Sequence, residues 1–274
     1  MPSIRSLTQW DFDIDKYLNR LIPPPPWQWI PYPVAYILGH RNGSIKEHGN
    51  ILSIIWGFIG VFCSLVLIQV ISHQIPYIAA HGPLIVASFG AAAVLEFYTI
   101  DSPLAQPRNA VLSQIIASII GVSFCKLFQL SPHFESIRFV GGALSCASVV
   151  ALMGLTKTVH PPAGATALLA VVDDVAVNIG WTLVPLVILG CAIMLCTALV
   201  LNNIQRRFPV YWWTPEDLAG SRSRQESESP SGDEEKASYE HAILVISRRK
   251  IIVPDHIILN PEEKFMLESL CNRL

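Results

Sequence analysis

Long apolar stretches dominate the middle of the chain, between about residue 50 and residue 205. A membrane-spanning helix needs roughly 20 apolar residues, and two stretches meet that length outright, Ile51–Ile71 and Leu183–Asn202. Three more are near full length: Pro83–Ile100, Asn109–Phe128 and Phe139–Thr156. The pattern therefore predicts five clear membrane crossings.

A sixth apolar segment, Pro161–Val172, is short for a crossing and typical of a re-entrant or broken helix. With six crossings, Arg206 and Arg207 fall on the same side as Arg41 and Lys46, as the excess of basic residues in cytoplasmic loops requires. We therefore predict an all-α, polytopic transmembrane helical bundle of six segments with one short or broken helix. Both termini are predicted to be cytoplasmic, and the sequence does not indicate the organelle.

Two six-residue runs resemble each other at four of six positions, Gly90–Leu95 and Gly164–Leu169, a shift of 74 residues. The same shift carries Asn109–Phe128 onto Leu183–Asn202. Three segments in each half would turn the second half upside down relative to the first, as in the inverted repeats of many transporters. Because alanine-rich helices match one another easily, the three-plus-three repeat and a chance likeness both remain open.

Composition agrees with a lipid environment, since 15% of residues are charged against about 25% in soluble domains. The expected partner is the lipid bilayer. A net charge of −2 with no basic stripe argues against a nucleic-acid partner. Five of the six cysteines lie within apolar runs without a Cys or His cluster, so no metal site is expected.

Four regions follow from these patterns: 1–50, the membrane domain 51–205, an acidic and serine-rich linker 206–238, and a tail 239–274. In the first region, residues 8–22 predict an amphipathic helix before Pro23–Pro26. The aromatic residues after these prolines are typical of headgroup level, with ligand stacking as the alternative: Trp27, Trp29, Tyr32 and Tyr36.

The linker contains no large apolar group over residues 220–238, so disorder is expected. The tail shows two strand patterns, at 242–247 and 250–253, and a helix start at Asn260. The tail is too short for an independent domain, so it is expected to dock on the membrane core or on a copy of itself. Whether the chain forms a homo-oligomer stays open.

The sharpest candidate site is the start of the short segment, His160-Pro161-Pro162. Free N–H groups of residues 163–165 at a helix start, together with the helix dipole, predict an anion site. Gly164 would let an ion approach the backbone, Thr166 would add a hydroxyl, and Lys157 lies just before. The alternative is structural: the prolines bend the chain and His160 bonds a carbonyl.

Arg108 and Asn109 open the third span in the same style, after Pro107. Arg108 is a candidate cation for an anionic solute, with an ordinary span-end anchor as the alternative. Glu96 lies within the second span, where a charge is costly unless it is paired or hydrated. It is a candidate proton carrier, or it pairs with Arg108 or Lys157.

Three blocks in one order carry a family resemblance: Ser88–Ala91, Ser102–Asn109 and His160–Leu168. Together they resemble the HPP family of integral membrane proteins, and the start Trp10–Leu18 is similar to its fungal branch. The resemblance implies a membrane protein described with about four spans and presumed to be a transporter. It also implies nitrite as a solute, since plastid and cyanobacterial members are linked to nitrite transport.

We therefore expect an integral membrane transporter for a small inorganic anion, with nitrite as the leading solute. Transport would be passive or proton-coupled, with Glu96 or His160 carrying the proton, and no cofactor is expected. An enzyme is not expected, because no acid/base pair or metal-ligand set stands at a recognisable spacing. The alternative is a non-transporting scaffold or regulatory membrane protein whose acidic tail recruits partners.

Overall fold

Ten α-helices and one β-hairpin form the part of the chain that the computed structural model describes, namely residues 12–19, 21–23, 25–41, 49–83, 85–215, 245–247 and 250–252. The chain divides into two compact units, Met1–Gly220 and Ser221–Leu274. The first unit contains all ten helices, so the fold is helical as predicted.

The helices of the first unit fall into four long and six short ones. The bounds are α1 Asp15–Leu18, α2 Tyr32–Ile37, α3 Asn50–Ser72, α4 Pro76–His81, α5 Ser88–Phe97, α6 Pro107–Phe128, α7 Phe134–Thr156, α8 Pro161–Val172, α9 Asp174–Ile179 and α10 Leu183–Gln205. Four helical segments are long and apolar enough to cross a membrane: Asn50–Ser72, Pro107–Phe128, Phe134–Thr156 and Asp174–Gln205. Two shorter apolar helices, α5 and α8, complete the six predicted segments.

The second segment differs from its prediction. A nearly full-length span over residues 83–100 was expected, but only α5 is helical there, with ten residues. Gly82 ends α4 in an extended conformation and Pro83 follows it, so the helix starts again only at Ser88. The structure therefore contains one ten-residue helix where the sequence predicted a nearly full-length span.

The six segments run between two opposite ends of the bundle. At the first, which we call the His160 end, α6 and α8 start and α5, α7 and α10 finish. Three hydrogen bonds define it: from the side chain of Asn202 to the Glu96 carbonyl (2.8 Å), from Arg108 to the Thr156 carbonyl (3.0 Å), and between His160 and the Leu104 carbonyl (2.8 Å).

The opposite end, which we call the Lys126 end, receives the C-terminus of α8. Arg138, in the second turn of α7, donates to the Val172 carbonyl at 2.8 Å. Gly180, after α9, lies beside Lys126, the last-turn lysine of α6. Since α8 starts near Met153 and finishes near Arg138, it runs from one end of the bundle to the other.

The order of long and short segments matches the predicted repeat. In the first half it is α3, α5, α6, and in the second it is α7, α8, α10. The runs Gly90–Leu95 and Gly164–Leu169, which suggested the repeat, lie on the two short helices. These helices point in opposite directions, as inversion of the second half requires.

Glycines allow the long and short helices to pack closely. A Cβ added to Gly121 of α6 would lie 2.6 Å from the Ala170 Cβ and 3.1 Å from the Ala167 Cα, both on α8. Between membrane helices, small residues permit this approach where no hydrophobic effect drives association. The α6–α8 contact therefore depends on the missing side chain.

Replacing Gly121 by Ala is expected to push α8 from α6 and to destabilise the protein by about 1–3 kcal/mol, the usual cost of overpacking. The measurement is the thermal unfolding midpoint in detergent. Gly154→Ala in α7 is the matched control, because a Cβ there meets no atom within 4 Å. Equal midpoints for the two variants would contradict this account of the contact.

The N-terminal segment is less helical than predicted. Only α1, four residues long, is helical among the described residues of the expected helix 8–22; residues 8–11 and 20 lie outside the described part. None of the four residues of α1 is buried, so no apolar face supports a longer helix. The segment is held at the His160 end through Arg41, which donates to the Asn203 side chain at 2.6 Å.

In the second unit, β1 Val245–Ser247 and β2 Lys250–Ile252 pair antiparallel, with Val245 opposite Ile252. These strands lie within the two predicted strand patterns, 242–247 and 250–253. The predicted linker 220–238 and the predicted helix start at Asn260 lie outside the described residues.

Candidate functional site

Arg108 lies in the first turn of α6, and its side chain is 4% exposed. Its guanidinium lies 2.6 Å from an Asp15 carboxylate oxygen and 3.0 Å from the Thr156 carbonyl. The ring of Trp213 lies 4.2 Å from the centre of the guanidinium, within cation–π range. The cation predicted to meet a solute therefore already has an anionic partner from the N-terminal segment.

Lys157, between α7 and α8, has a similar partner. Its backbone is left-handed, with φ of +53°, which is a common way to end a helix. Its ammonium lies 2.6 Å from the Asp13 carboxylate and 4.0 Å from that of Asp15. Two carboxylates of the N-terminal segment therefore hold Arg108 and Lys157. Glu96 pairs with neither of them among the described contacts.

The hydrogen bond from Lys157 lowers the pKa of Asp13 below its ordinary value of 3.8. A carboxyl with a lowered pKa stabilises the folded arrangement above its ordinary pKa, and this contribution is lost as the pH falls through the lowered value. We expect the N-terminal segment to loosen below about pH 4, measured by hydrogen exchange over residues 15–19. The Asp13→Asn variant should lack this transition; an unchanged transition would assign it to another group.

His160 is fully buried at the start of α8. Its Nδ1 lies 2.8 Å from the Leu104 carbonyl, and because a carbonyl only accepts, Nδ1 carries the proton and donates it. The opposite nitrogen, Nε2, is buried and has no hydrogen-bond partner in the described part of the chain. It offers a lone pair, or a second N–H once the ring is protonated.

The start of α8 has fewer free N–H groups than predicted. Pro161 and Pro162 have none, and the N–H of Ala163 donates to the His160 carbonyl at 3.0 Å. A Cβ on Gly164 would meet the Cys146 sulfur of α7 at 3.5 Å, so that direction is filled by protein. Asn109 is also committed, since its side chain donates to the Pro103 carbonyl at 2.9 Å.

Glu96 is buried in the last turn of α5. Its side-chain Oε2 has no hydrogen-bond partner among the described residues, while its backbone carbonyl accepts from Asn202. An unpaired buried carboxyl is costly unless it binds a proton. Its position is therefore compatible with the predicted role in proton coupling.

A buried polar cluster lies deeper, where α5, α6 and α8 meet. The Thr166 hydroxyl lies 2.5 Å from Gln114 Oε1 and 2.7 Å from the Ser88 hydroxyl. An amide oxygen only accepts, so Thr166 donates to Gln114 and receives the hydrogen of Ser88. The amide nitrogen of Gln114 is buried and lacks a partner among the described residues, which leaves its two N–H donors available. We call Ser88, Gln114 and Thr166 the polar cluster.

A partly open cavity of about 80 Å³ reaches Thr166 from the side of the Lys126 end, between the residues before α5, the second half of α8 and α9. A water molecule in the liquid occupies about 30 Å³, so the cavity has room for two or three, or for an ion of that size. Its lining is mostly apolar, with Thr166 and Asp173 as polar residues. Asp173 accepts a hydrogen bond from the Ala176 N–H at 2.9 Å.

The region that contains the polar cluster and the His160 end also matches a known family. A family model described as "HPP, transmembrane region" matches residues 46–209, more than half of the chain. This chain belongs to the HPP transmembrane family. The match covers α3 to α10, so the polar cluster and the His160 end both lie within the HPP region.

Two transmembrane proteins of Dictyostelium discoideum are similar to this HPP protein. One is 35% identical over 163 residues, covering 58% of this chain and 55% of the relative. The other is 33% identical over 162 residues, covering 58% of this chain and 50% of the relative. The chain thus spans about half the length of these relatives. No solved structure matches it.

The sequence analysis missed Ser88 and Gln114 as site residues. Gln114 carried a usable signal, because a glutamine amide in the middle of an apolar span needs a partner or a function. Ser88 was noted only within the family signature. Of the predicted residues, the structure joins Thr166 to the polar cluster, and it joins Arg108 and Lys157 to Asp15 and Asp13.

Proposed function

We propose that this HPP protein is a transporter for a small inorganic anion, with nitrite as the first solute to test. The observation that carries the proposal is the buried polar cluster beside the cavity of about 80 Å³. In a membrane domain, polar groups buried without full satisfaction are expensive and mark solute or ion pathways. The amide N–H donors of Gln114, which have no partner among the described residues, suit an anion that must bind weakly enough to leave again.

The position of the polar cluster also supports transport. Ser88 and Thr166 lie on α5 and α8, which occupy equivalent places in the two halves. Transporters built from inverted repeats bind their solutes at the interface of the repeats, on short or broken helices. The choice of nitrite among small anions rests on the family resemblance alone.

Proton coupling suits this arrangement better than passive flux. Asp173 lines the cavity, and its carboxylate repels an anion. An anion that enters together with a proton carries no net charge past that carboxylate. Glu96 and the Nε2 atom of His160, both buried without a partner in the described part of the chain, would carry the proton onward.

Uptake into proteoliposomes tests the proposal. The purified protein should carry nitrite, nitrate or formate faster than protein-free vesicles do. A lower pH outside the vesicles than inside should raise the rate of uptake. Flux at the leak level for all three anions would instead favour a non-transporting scaffold or regulatory protein. Uptake at a rate that does not depend on the pH gradient would support transport but contradict proton coupling.

A further inference from the structure

A second and larger cavity, of about 470 Å³, lies at the His160 end, outside the helical bundle. It is lined by residues 22, 23, 25–27, 30 and 38–40 of the N-terminal segment and by residues that follow α10, between 207 and 214. Four aromatic side chains contribute to its walls: Trp27, Tyr211, Trp212 and Trp213. Its volume falls within the range of about 300–1,000 Å³ typical of small-molecule sites.

The walls are held together without a ligand. Arg207 donates through Nε to the Gly39 carbonyl at 3.0 Å, and the Trp212 indole donates to the Leu38 carbonyl at 3.0 Å. Gly39 has φ of +89°, and a Cβ there would lie 2.6 Å from the Pro209 carbonyl oxygen. The two segments therefore fit closely, and a ligand would not have to order them.

The charge of Arg207 favours an anionic group in the cavity. Arg207 and the polar ring of His40 line it, and no Asp or Glu belongs to its described lining. Arg207 uses Nε and one terminal nitrogen for backbone carbonyls, so its other terminal nitrogen can still donate to a ligand. The His40 ring is stacked on Trp27, with 4.9 Å between ring centres, which orients it in the wall.

We propose that this cavity binds the phosphate headgroup and the first apolar carbons of an anionic phospholipid. The residues 207–214 follow directly on α10, which ends at Gln205, so the cavity lies where the membrane-spanning part of the chain ends. Tryptophan and tyrosine concentrate at headgroup level, and basic side chains there attract anionic lipids. A soluble phosphate ester shares the headgroup chemistry but lacks the apolar part that the aromatic walls fit.

The cavity also lies next to Arg108, one of the predicted site residues. Trp213 forms part of its wall, and the same ring lies over the Arg108 guanidinium. A bound lipid would hold Trp213 in place and so support the contact between Arg108 and Asp15. The proposal itself does not depend on transport, and its test needs no flux measurement.

Native mass spectrometry of the delipidated full-length protein tests it, with phosphatidylglycerol and phosphatidylcholine added in equal amounts. One phosphatidylglycerol per chain should be retained at least fivefold more than phosphatidylcholine. Arg207→Gln should lower this retention at least fivefold. Arg138→Gln, which removes an arginine at the Lys126 end, is the matched control and should leave it unchanged.

Because Arg207 also holds Gly39, a second variant keeps the arginine and fills the cavity instead. Ile30 lines the cavity, so Ile30→Trp should also abolish the retention. Equal retention of the two lipids by the unmodified protein, or unchanged retention in both variants, would overturn the proposal. Displacement of phosphatidylglycerol by equimolar sn-glycerol 3-phosphate would overturn the lipid and assign the cavity to a soluble phosphate ester.

Discussion

Replacing Thr166 by Val is expected to lower anion uptake into proteoliposomes by about tenfold or more. The change keeps the shape of the side chain but removes the hydroxyl that joins Ser88 to Gln114. Gln114 Oε1 and the Ser88 hydroxyl would then be buried without this partner, at about 1–3 kcal/mol for such a group. A factor of ten corresponds to about 1.4 kcal/mol, so the loss of one such contact suffices.

Thr197→Val is the matched control for this prediction. Thr197 also lies in a membrane segment, in α10, but its hydroxyl donates to the Ile193 carbonyl of its own helix. The same substitution there should leave uptake within about twofold, because the backbone bond it removes is local. Equal losses in the two variants would show that any lost hydroxyl impairs the protein, and the polar cluster would then have no special role.

Replacing Arg108 by Gln is expected to cost about 3 kcal/mol of stability, because it leaves a carboxylate without its buried partner. Arg108 also holds the Thr156 carbonyl and lies against Trp213, so several contacts are lost together. The measurement is the thermal unfolding midpoint in detergent. Lys157→Gln is the control and should have a smaller effect, because the Lys157 side chain is 44% exposed and solvent screens its ion pairs.

The sequence-based expectation that Arg108 also binds the solute can be separated from this structural role. Asp15→Asn removes the carboxylate and keeps the cation. Stability should fall in both variants, whereas apparent anion affinity should fall about tenfold only in Arg108→Gln, the size of one charge-assisted hydrogen bond. Unchanged affinity in Arg108→Gln would restrict Arg108 to anchoring the N-terminal segment.

Local patterns were enough for the membrane architecture. The length of an apolar run indicates whether a helix can cross the bilayer, because every spanning helix has to cover the same hydrocarbon thickness. The run Pro161–Val172 therefore already predicted a short helix with a proline start, and the structure contains it as α8. The same reasoning overestimated the second segment, since it counted Pro83 and residues 85–87 as helix, whereas these residues are not helical and line the cavity.

Local sequence patterns could not predict which residues the polar side chains contact. Arg108 meets Asp15 across 93 positions, and Thr166 meets Gln114 across 52 and Ser88 across 78. Such pairs depend on which helices are neighbours and how each is rotated about its axis. Those choices are made by contacts such as Gly121 against Ala167 and Ala170.

The sequence by itself determined that the chain is a helical membrane protein of six apolar segments, with a His-Pro-Pro start on a short helix. The length of an apolar run and the effect of proline on a helix depend on residues that are neighbours in the chain, so the amino-acid sequence alone reveals them. Only the tertiary structure decided that acidic residues of the N-terminal segment hold Arg108 and Lys157, and that Ser88, Gln114 and Thr166 meet. These contacts exist because close helix packing brings together groups that the chain itself keeps far apart.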